Sequence, residues 1–598
     1  MTQHVPLWLK GAAIATIAAH LVLIGLAIAS PAKMTPVADE WHFAMNSAVA
    51  VKVAQGTLKL DDLLVNYNGH RLPLTLALTA LNAALFNYDP RLEMLVTAVL
   101  LAANFSLLAL LLKRQLGQGA PRLFWSGLIA LACMVFTGRW ITGWTWAFLN
   151  EWQFGIFFTL LGVLAADKVR SGWRLALLLS FLCSAAALSN GSGILAFGVV
   201  GLVWWLRGER SWARWALFAA AAAACLAIVF LLPDERHGYN RITLSPLDNL
   251  YFAALHLGAV QVTPAFLRYG VLETSTRDFA LLVFAVGLLL SAVNVHFLLR
   301  QARPAALASV FAIALWGISF ALATSIGRLE AYIENVLHLD YHTPLVMMFW
   351  LGAVMLSLLV LQKMPRGALR TANLLFVCAI GGAQLIFTAL AALYVFLPLL
   401  HLDDIVTGPR ECALTALIGN KNCPFFDLFP NEMVRKSALG LAQFRLAAFR
   451  DVEQQPVSLA LHFLPVLQSS PDFDERVGSH AIVLAGEAQY VLYQRAARLA
   501  QAVELPELPD YRFTLRGALT LEPECADQRI RARLIVDNGQ TQRVAIDHIA
   551  SVELTPFALD LSDLRGQAFT LRYEVQSDAP LTCGHILWAN PRIEFSLV

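Results

Sequence analysis

For about 400 residues, long apolar runs alternate with short polar connections; after that the pattern changes to short segments in which apolar and polar positions alternate. Apolar runs of about 18 residues or more with few charges are long enough to cross a bilayer as helices. Such runs fall near 12–29, 94–112, 124–141, 154–166, 175–188, 194–206, 215–232, 279–299, 305–324, 345–361 and 372–400, which predicts about eleven spans with soft ends. The stretch 72–86, opened by Leu72-Pro73, is short for a span and reads as an interfacial or re-entrant helix. The first run closes on Ala27-Ile-Ala-Ser30 in the manner of a cleavage site, but it is longer than a signal-peptide core.

From Tyr511 onward, runs such as Arg512-Phe-Thr-Leu-Arg and Ala568-Phe-Thr-Leu-Arg-Tyr-Glu-Val repeat with period two, with Asp537-Asn-Gly marking a turn. Regular short strands of this kind predict an antiparallel β-sandwich. The expected organisation is therefore a polytopic α-helical membrane bundle over 1–400, a mixed extracytoplasmic region over 401–507 and a sandwich over 508–598. Two connections, 31–91 and 234–278, are far too long for simple links. Within the first, Trp41, Met45, Ala48 and Val49 share one face of a predicted helix over 38–54, which reads as lying in the membrane interface.

Composition agrees with the bilayer reading: 14% of residues are charged, 58% are hydrophobic and the mean hydropathy is +0.60. A soluble domain carries roughly 25% charge. A net charge of +2 with no basic stripe argues against nucleic acid as a partner. Lys113, Arg114 and Arg122, then Lys168, Arg170 and Arg174, then Arg207, Arg210 and Arg214, then Arg300 and Arg303, then Lys363, Arg366 and Arg370 fall in alternate connections, on the same side as Lys10. By the positive-inside rule that side is cytoplasmic. The long loops and everything after His401 are then extracytoplasmic. Cys133, Cys183, Cys225 and Cys378 lie in predicted spans and read as small core residues. Cys412 with Cys423, and Cys525 with Cys583, fall in outer segments and predict two local disulfides.

Several polar groups sit where the spans open outward. Asp39 and Glu40 adjoin Trp41 and His42 just past the first span; a carboxylate against an apolar wall can act as a general base, or Asp39 can simply cap a helix. His70 and Arg71 could bind phosphate, Arg71 bidentately, or Arg71 could snorkel to the headgroups. Trp144, Trp146 and Trp152 suggest an aromatic belt, beside which Glu151 and Gln153 could hydrogen-bond a sugar stacked on Trp152. Arg328 ends one span, and Asp340, Tyr341 and His342 open the next. A cation there would neutralise a departing phosphate, or pair with Glu330 or Glu334.

In their order along the chain these elements resemble the polytopic glycosyltransferases of the GT-C superfamily: an acidic pair after the first span, His-Arg later in the same loop, Asn150-Glu151-Trp152-Gln153, Ser189-Asn190-Gly191, Gly327-Arg328 and Tyr341-His342-Thr343. The resemblance covers the bundle. It implies transfer of a sugar from a polyprenyl-phosphate donor to an envelope glycan or lipid, in polysaccharide biosynthesis. Asp39, or Glu40, would be the catalytic carboxylate, and His70, Arg71 and Arg328 the phosphate ligands. Trp41, His42, Glu151, Trp152, Gln153, Asp340, Tyr341 and His342 would contact substrate. Asp340 stands where similar proteins tend to have arginine, which weakens phosphate binding there or makes Asp340 a metal or acceptor ligand. A divalent ion such as magnesium or manganese could share the phosphate's charge. The tail resembles carbohydrate-binding sandwiches, with Trp588 either a sugar platform or a packed core residue. The alternatives are a flippase or transporter of lipid-linked sugars, a polysaccharide polymerase or ligase, and a non-enzymatic glycan-binding scaffold.

Overall fold

The computed structural model describes the chain apart from 1–4, 30–39, 41–44, 68–69, 118, 169–171, 232–241, 264–272, 335, 365, 397–413, 421–430, 451, 455, 462–466, 469–479, 485–486, 495–497, 523–524, 526–528 and 578–585. It divides into two compact units. One comprises Met1–Ser30, Lys59–Leu78 and Arg91–Val395; the other comprises Pro31–Leu58, Thr79–Pro90 and Phe396–Val598.

The first unit is a helical bundle. Among the described residues, nine helices are long and apolar enough to cross a membrane, from Leu7–Ala29 to Ala368–Leu393. Two further predicted spans are shorter helices, Trp173–Ala187 and Gly191–Leu206, and the stretch after Leu72 forms the helix Pro73–Phe86. Helix starts follow the local chemistry: Pro121, Pro246 and Pro304 each stand at the beginning, where the missing N–H costs nothing. Thr343–Lys363 is buried along its whole apolar stretch, whereas Trp212–Val229, Ser275–Leu299 and Ala368–Leu393 bury no more than 28% of theirs. The first is therefore a central helix, and the exposed leucines of the others, such as Leu289 and Leu375, suit a lipid surface.

In a bilayer, apolar burial gives little drive for helix association, so close backbone approach and interhelical hydrogen bonds carry more of it. Both are present. A Cβ on Gly317 would lie 2.3 Å from the Phe349 nitrogen, and one on Gly352 would lie 2.6 Å from the Ala314 Cβ. The central helix and Pro304–Tyr332 thus meet at two glycines. Asn294 and Asn373 donate to each other's side-chain oxygens at 2.7 and 3.0 Å. Gln384 accepts from Thr137 (2.5 Å) and donates to Gln261 (2.7 Å).

The second unit holds two antiparallel sheets. One runs in the order Gln542–Ile549, Ile530–Asp537, Ala568–Ser577, Arg498–Glu504, Leu467–Gln468. The other runs Thr555–Asp560, Tyr511–Leu521, Ile586–Leu597, Glu487–Gln494, His480–Leu484, with Val457–Ala460 also pairing Ile586–Leu597. Both sheets thus take strands from either side of residue 508. Their inner faces share one core, in which the Trp588 and Tyr573 rings from opposite sheets lie 5.2 Å apart. The Asp537-Asn-Gly turn forms as its residues require: Gly539 has φ +83° and its N–H donates to Asp537 Oδ1 at 2.9 Å.

One expectation is corrected in this unit, and one alternative is decided. The helix Asn46–Ala54 packs on the helix Asn431–Gln443, where a Cβ on Gly440 would lie 2.8 Å from Val51. Protein, rather than an interfacial membrane, covers its apolar face. Trp588 is 0% exposed and its Nε1 donates to Gln494 Oε1 at 2.9 Å, so it is a core residue and not a sugar platform.

Candidate functional site

A two-stranded turn, Asn66–Tyr67 against His70–Arg71, presents His70 to the bundle. Arg71 is buried and donates to the Leu64 carbonyl, a contact that braces the loop leading into this turn. His70 faces two other segments. The Gly191 N–H, at the start of Gly191–Ile194, donates to its Nδ1 at 3.2 Å. Arg328 Nη2 lies 3.0 Å from its Nε2. Asn190 holds the Gly191 segment in place, its Oδ1 accepting from the Ser192 N–H at 2.9 Å.

Arg328 owes its direction to a break in Pro304–Tyr332. It takes φ −145° and ψ 18°, outside helical geometry. Its Nη1 donates to the Tyr332 hydroxyl at 2.6 Å, and its guanidinium sits 5.5 Å from that ring's centroid. Burial, and then the Arg328 charge, push the His70 pKa down to about 3, so its imidazole is neutral. A neutral imidazole accepts at one nitrogen only. Two N–H groups are aimed at this ring and its second nitrogen carries a proton, so the turn, the guanidinium and the Gly191 amide together offer more donors than the ring can accept. Such a convergence of donors suits an oxyanion.

Beside Tyr332 lies a cluster of rings. His342 closes the turn Asp340–His342, 4.4 Å from Tyr341, 5.6 Å from Trp152 and 5.3 Å from Phe320 between centroids. His256, on Pro246–Ala259, lies 5.2 Å from His342. Arg139 is also buried here, donating to Thr263 Oγ1 at 2.6 Å and to the Leu337 carbonyl at 3.0 Å. The structure thus brings together His70, Arg328, Trp152, Tyr341 and His342.

Of the tryptophans of the predicted belt, Trp144 and Trp152 are buried in the protein and Trp146 is half-buried. Glu151 is buried in the first turn of Asn150–Lys168, where a carboxylate complements the helix dipole. Gln153 Oε1 accepts from Asn104 at 2.8 Å, and the residue lines a cavity of about 20 Å³, too small for a sugar ring. Glu40 is buried in the second unit. Asp39, Trp41 and His42 lie outside the described residues, as does the Asp340 side chain. Cys525 is disulfide-bonded, while Cys412, Cys423 and Cys583 lie outside the described residues. Among the described residues, no group of three or more His, Cys, Asp or Glu side chains is placed to hold a metal ion.

Sequence reasoning missed Arg139 and His256. Arg139 carried a usable signal, since an ionisable residue inside an apolar run is a functional candidate by default. His256 carried none, because a histidine in a half-apolar loop segment looks like any other.

No protein family and no curated protein matches the chain in sequence. Among solved structures, it is similar to ArnT from Cupriavidus metallidurans bound to undecaprenyl phosphate, with 15% identity, a TM-score of 0.37, and coverage of 75% of this chain and 92% of that one. It is similar also to that protein in its apo state, at 14% identity and a TM-score of 0.32 over the same shares. At this distance neither an activity nor a residue's role transfers to the chain.

Proposed function

We propose that the chain is a multi-pass membrane glycosyltransferase that moves a sugar from a polyprenyl-phosphate-linked donor to a glycan or lipid acceptor outside the cytoplasm. The observation that carries this reading is the convergence of the Arg328 guanidinium and the Gly191 N–H on a buried, neutral His70 in a bundle of membrane-length helices. An anion held there by a bilayer-embedded bundle is naturally a lipid phosphate, because the lipid tail stays among the helices while the phosphate reaches polar groups. The alternation of basic connections and the disulfide-bonded Cys525 support a site on the extracytoplasmic side, with a cytoplasmic N-terminus and an outer sheet unit.

In the proposed reaction an acceptor hydroxyl oxygen attacks the anomeric carbon. The bond from that carbon to the phosphate oxygen breaks, and its electron pair leaves on the phosphate. Arg328 and the neutral His70 stabilise that growing charge, Arg328 by a charge-assisted hydrogen bond. Asp39, with Glu40 as the neighbouring alternative, takes the hydroxyl proton as the new bond forms. One displacement of this kind inverts the anomeric configuration. Arg71, occupied with the Leu64 carbonyl, shapes the turn that presents His70.

The test is transfer of radiolabelled sugar from polyprenyl-phosphate sugars to membrane glycans by the purified protein. Asp39→Asn is expected to abolish transfer while leaving the thermal unfolding profile unchanged. Full transfer by the Asn variant would remove Asp39 from the reaction, and no transfer by the wild type from any such donor would reject the reading.

A further inference from the structure

Inside the bundle, Asn104 on Pro90–Leu116 and Gln153 on Asn150–Lys168 meet, both 1% exposed. Asn104 Nδ2 donates to the Gln153 carbonyl at 3.2 Å and to Gln153 Oε1 at 2.8 Å. The backbone carbonyl fixes which way the asparagine amide points, and the asparagine in turn fixes the glutamine amide. Asn104 Oδ1 and Gln153 Nε2 are left over, and neither has a hydrogen-bond partner among the described residues. Two more buried atoms share that state: Trp140 Nε1, at the end of the turn Gly138–Trp140, and Thr343 Oγ1, at the first residue of the central helix. All four residues line one cavity of about 20 Å³. Buried polar groups are ordinarily paired, and among membrane helices no bulk solvent can serve them, so four orphans around one space point to a shared partner.

The donor set selects that partner. Gln153 Nε2 and Trp140 Nε1 only donate, Asn104 Oδ1 only accepts, and the Thr343 hydroxyl does either. A cation would face two N–H groups and an anion would face the asparagine oxygen, and either would hold its charge among Leu101, Leu108 and Ile156. A water accepts twice and donates twice, which answers all four atoms. It needs roughly 10–15 Å³ of such space, so one molecule fits. We propose that the cavity is a binding site for a single ordered water, which accepts from Gln153 and Trp140 and donates to Asn104 and Thr343. Gln153 and Thr343 directly follow Trp152 and His342, whose rings lie 5.6 Å apart. The water thereby bridges the helix that carries Trp152 to the one that follows His342 and holds those two segments in register. The site stands whether or not the chain transfers sugar.

The test is X-ray radiolytic labelling of the full chain in nanodiscs, read residue by residue by mass spectrometry. Radiolysis of a bound water releases hydroxyl radical beside it, and methionine sulfur oxidises readily. Met134 and Met348 line the cavity and are 1% and 4% exposed, whereas Met355, on the same helix as Met348 and 0% exposed, lies outside its wall. Met134 and Met348 are expected to be oxidised several-fold faster than Met355. Thr343→Val and Asn104→Leu each remove one acceptor of the water, and each should abolish most of that excess. Equal rates at the three methionines in the wild type would overturn the site, and that comparison needs neither variant to fold. An excess that both variants keep in full would overturn it as well, because the water would then be held by other groups.

Discussion

Arg328 departs from helical geometry at a single residue, and the departure turns its guanidinium toward His70 and Tyr332. A charge-assisted hydrogen bond to an anion contributes about 1.5–3 kcal/mol, or roughly 10- to 100-fold in affinity. The buried histidines add a pH dependence whose sign is fixed. His256 has a folded pKa of about 3 against about 6.5 when exposed. Between those values the unfolded chain binds more protons, so stability rises with pH. The contribution is complete above about pH 6.5 and falls away as pH drops, by up to ~1.4 kcal/mol per pH unit for such a histidine. Thermal unfolding in detergent should therefore show a Tm that declines from pH 6.5 to 4.5, with a shallower decline for His256→Phe; equal slopes would contradict the buried, neutral state of His256. At this scale the sequence was a partial guide. His70, Arg328 and His342 stood out because charge or imidazole occurred where apolar runs end. Gly191 acts through its backbone N–H, which no side-chain pattern advertises.

The helices that hold these residues meet through glycine. Gly317 has the Phe349 backbone against it, so Gly317→Ala requires the helices to separate and should cost about 1–3 kcal/mol. Gly382 has nothing within 4 Å of its would-be Cβ, so Gly382→Ala is expected to be neutral or mildly stabilising. Detergent half-lives of the two variants check this, and equal half-lives would contradict the close packing. In the sheet unit, Trp588→Ala removes a fully buried indole and should cost about 3–5 kcal/mol; a Tm unchanged from wild type would count against its core position. Elements of this kind were the most legible part of the chain. Bilayer length sets the apolar runs, and the period of two sets strands such as Tyr511–Leu521 and Ala568–Ser577. The spans near 175–188 and 194–206 were harder to judge, because their helices are short by the same length criterion. The role of Asn46–Ala54 was not legible, since the same apolar face suits a membrane surface or a protein core.

For the molecule as a whole, the account requires the turn bearing His70 and the sheet unit to lie on one side of the membrane and the basic connections on the other. Gln301→Cys, in the connection with Arg300 and Arg303, should react with an impermeant maleimide only after permeabilisation, and Asn538→Cys before it. The reverse pattern would reject the proposed orientation. The central claim is that a lipid phosphate binds at His70 and Arg328, and the most direct test is the affinity of the full chain in nanodiscs for polyprenyl phosphate, measured for the wild type and for Arg328→Gln. The account predicts binding by the wild type and a loss of at least tenfold in the variant; equal affinities, or no binding by either, would contradict it.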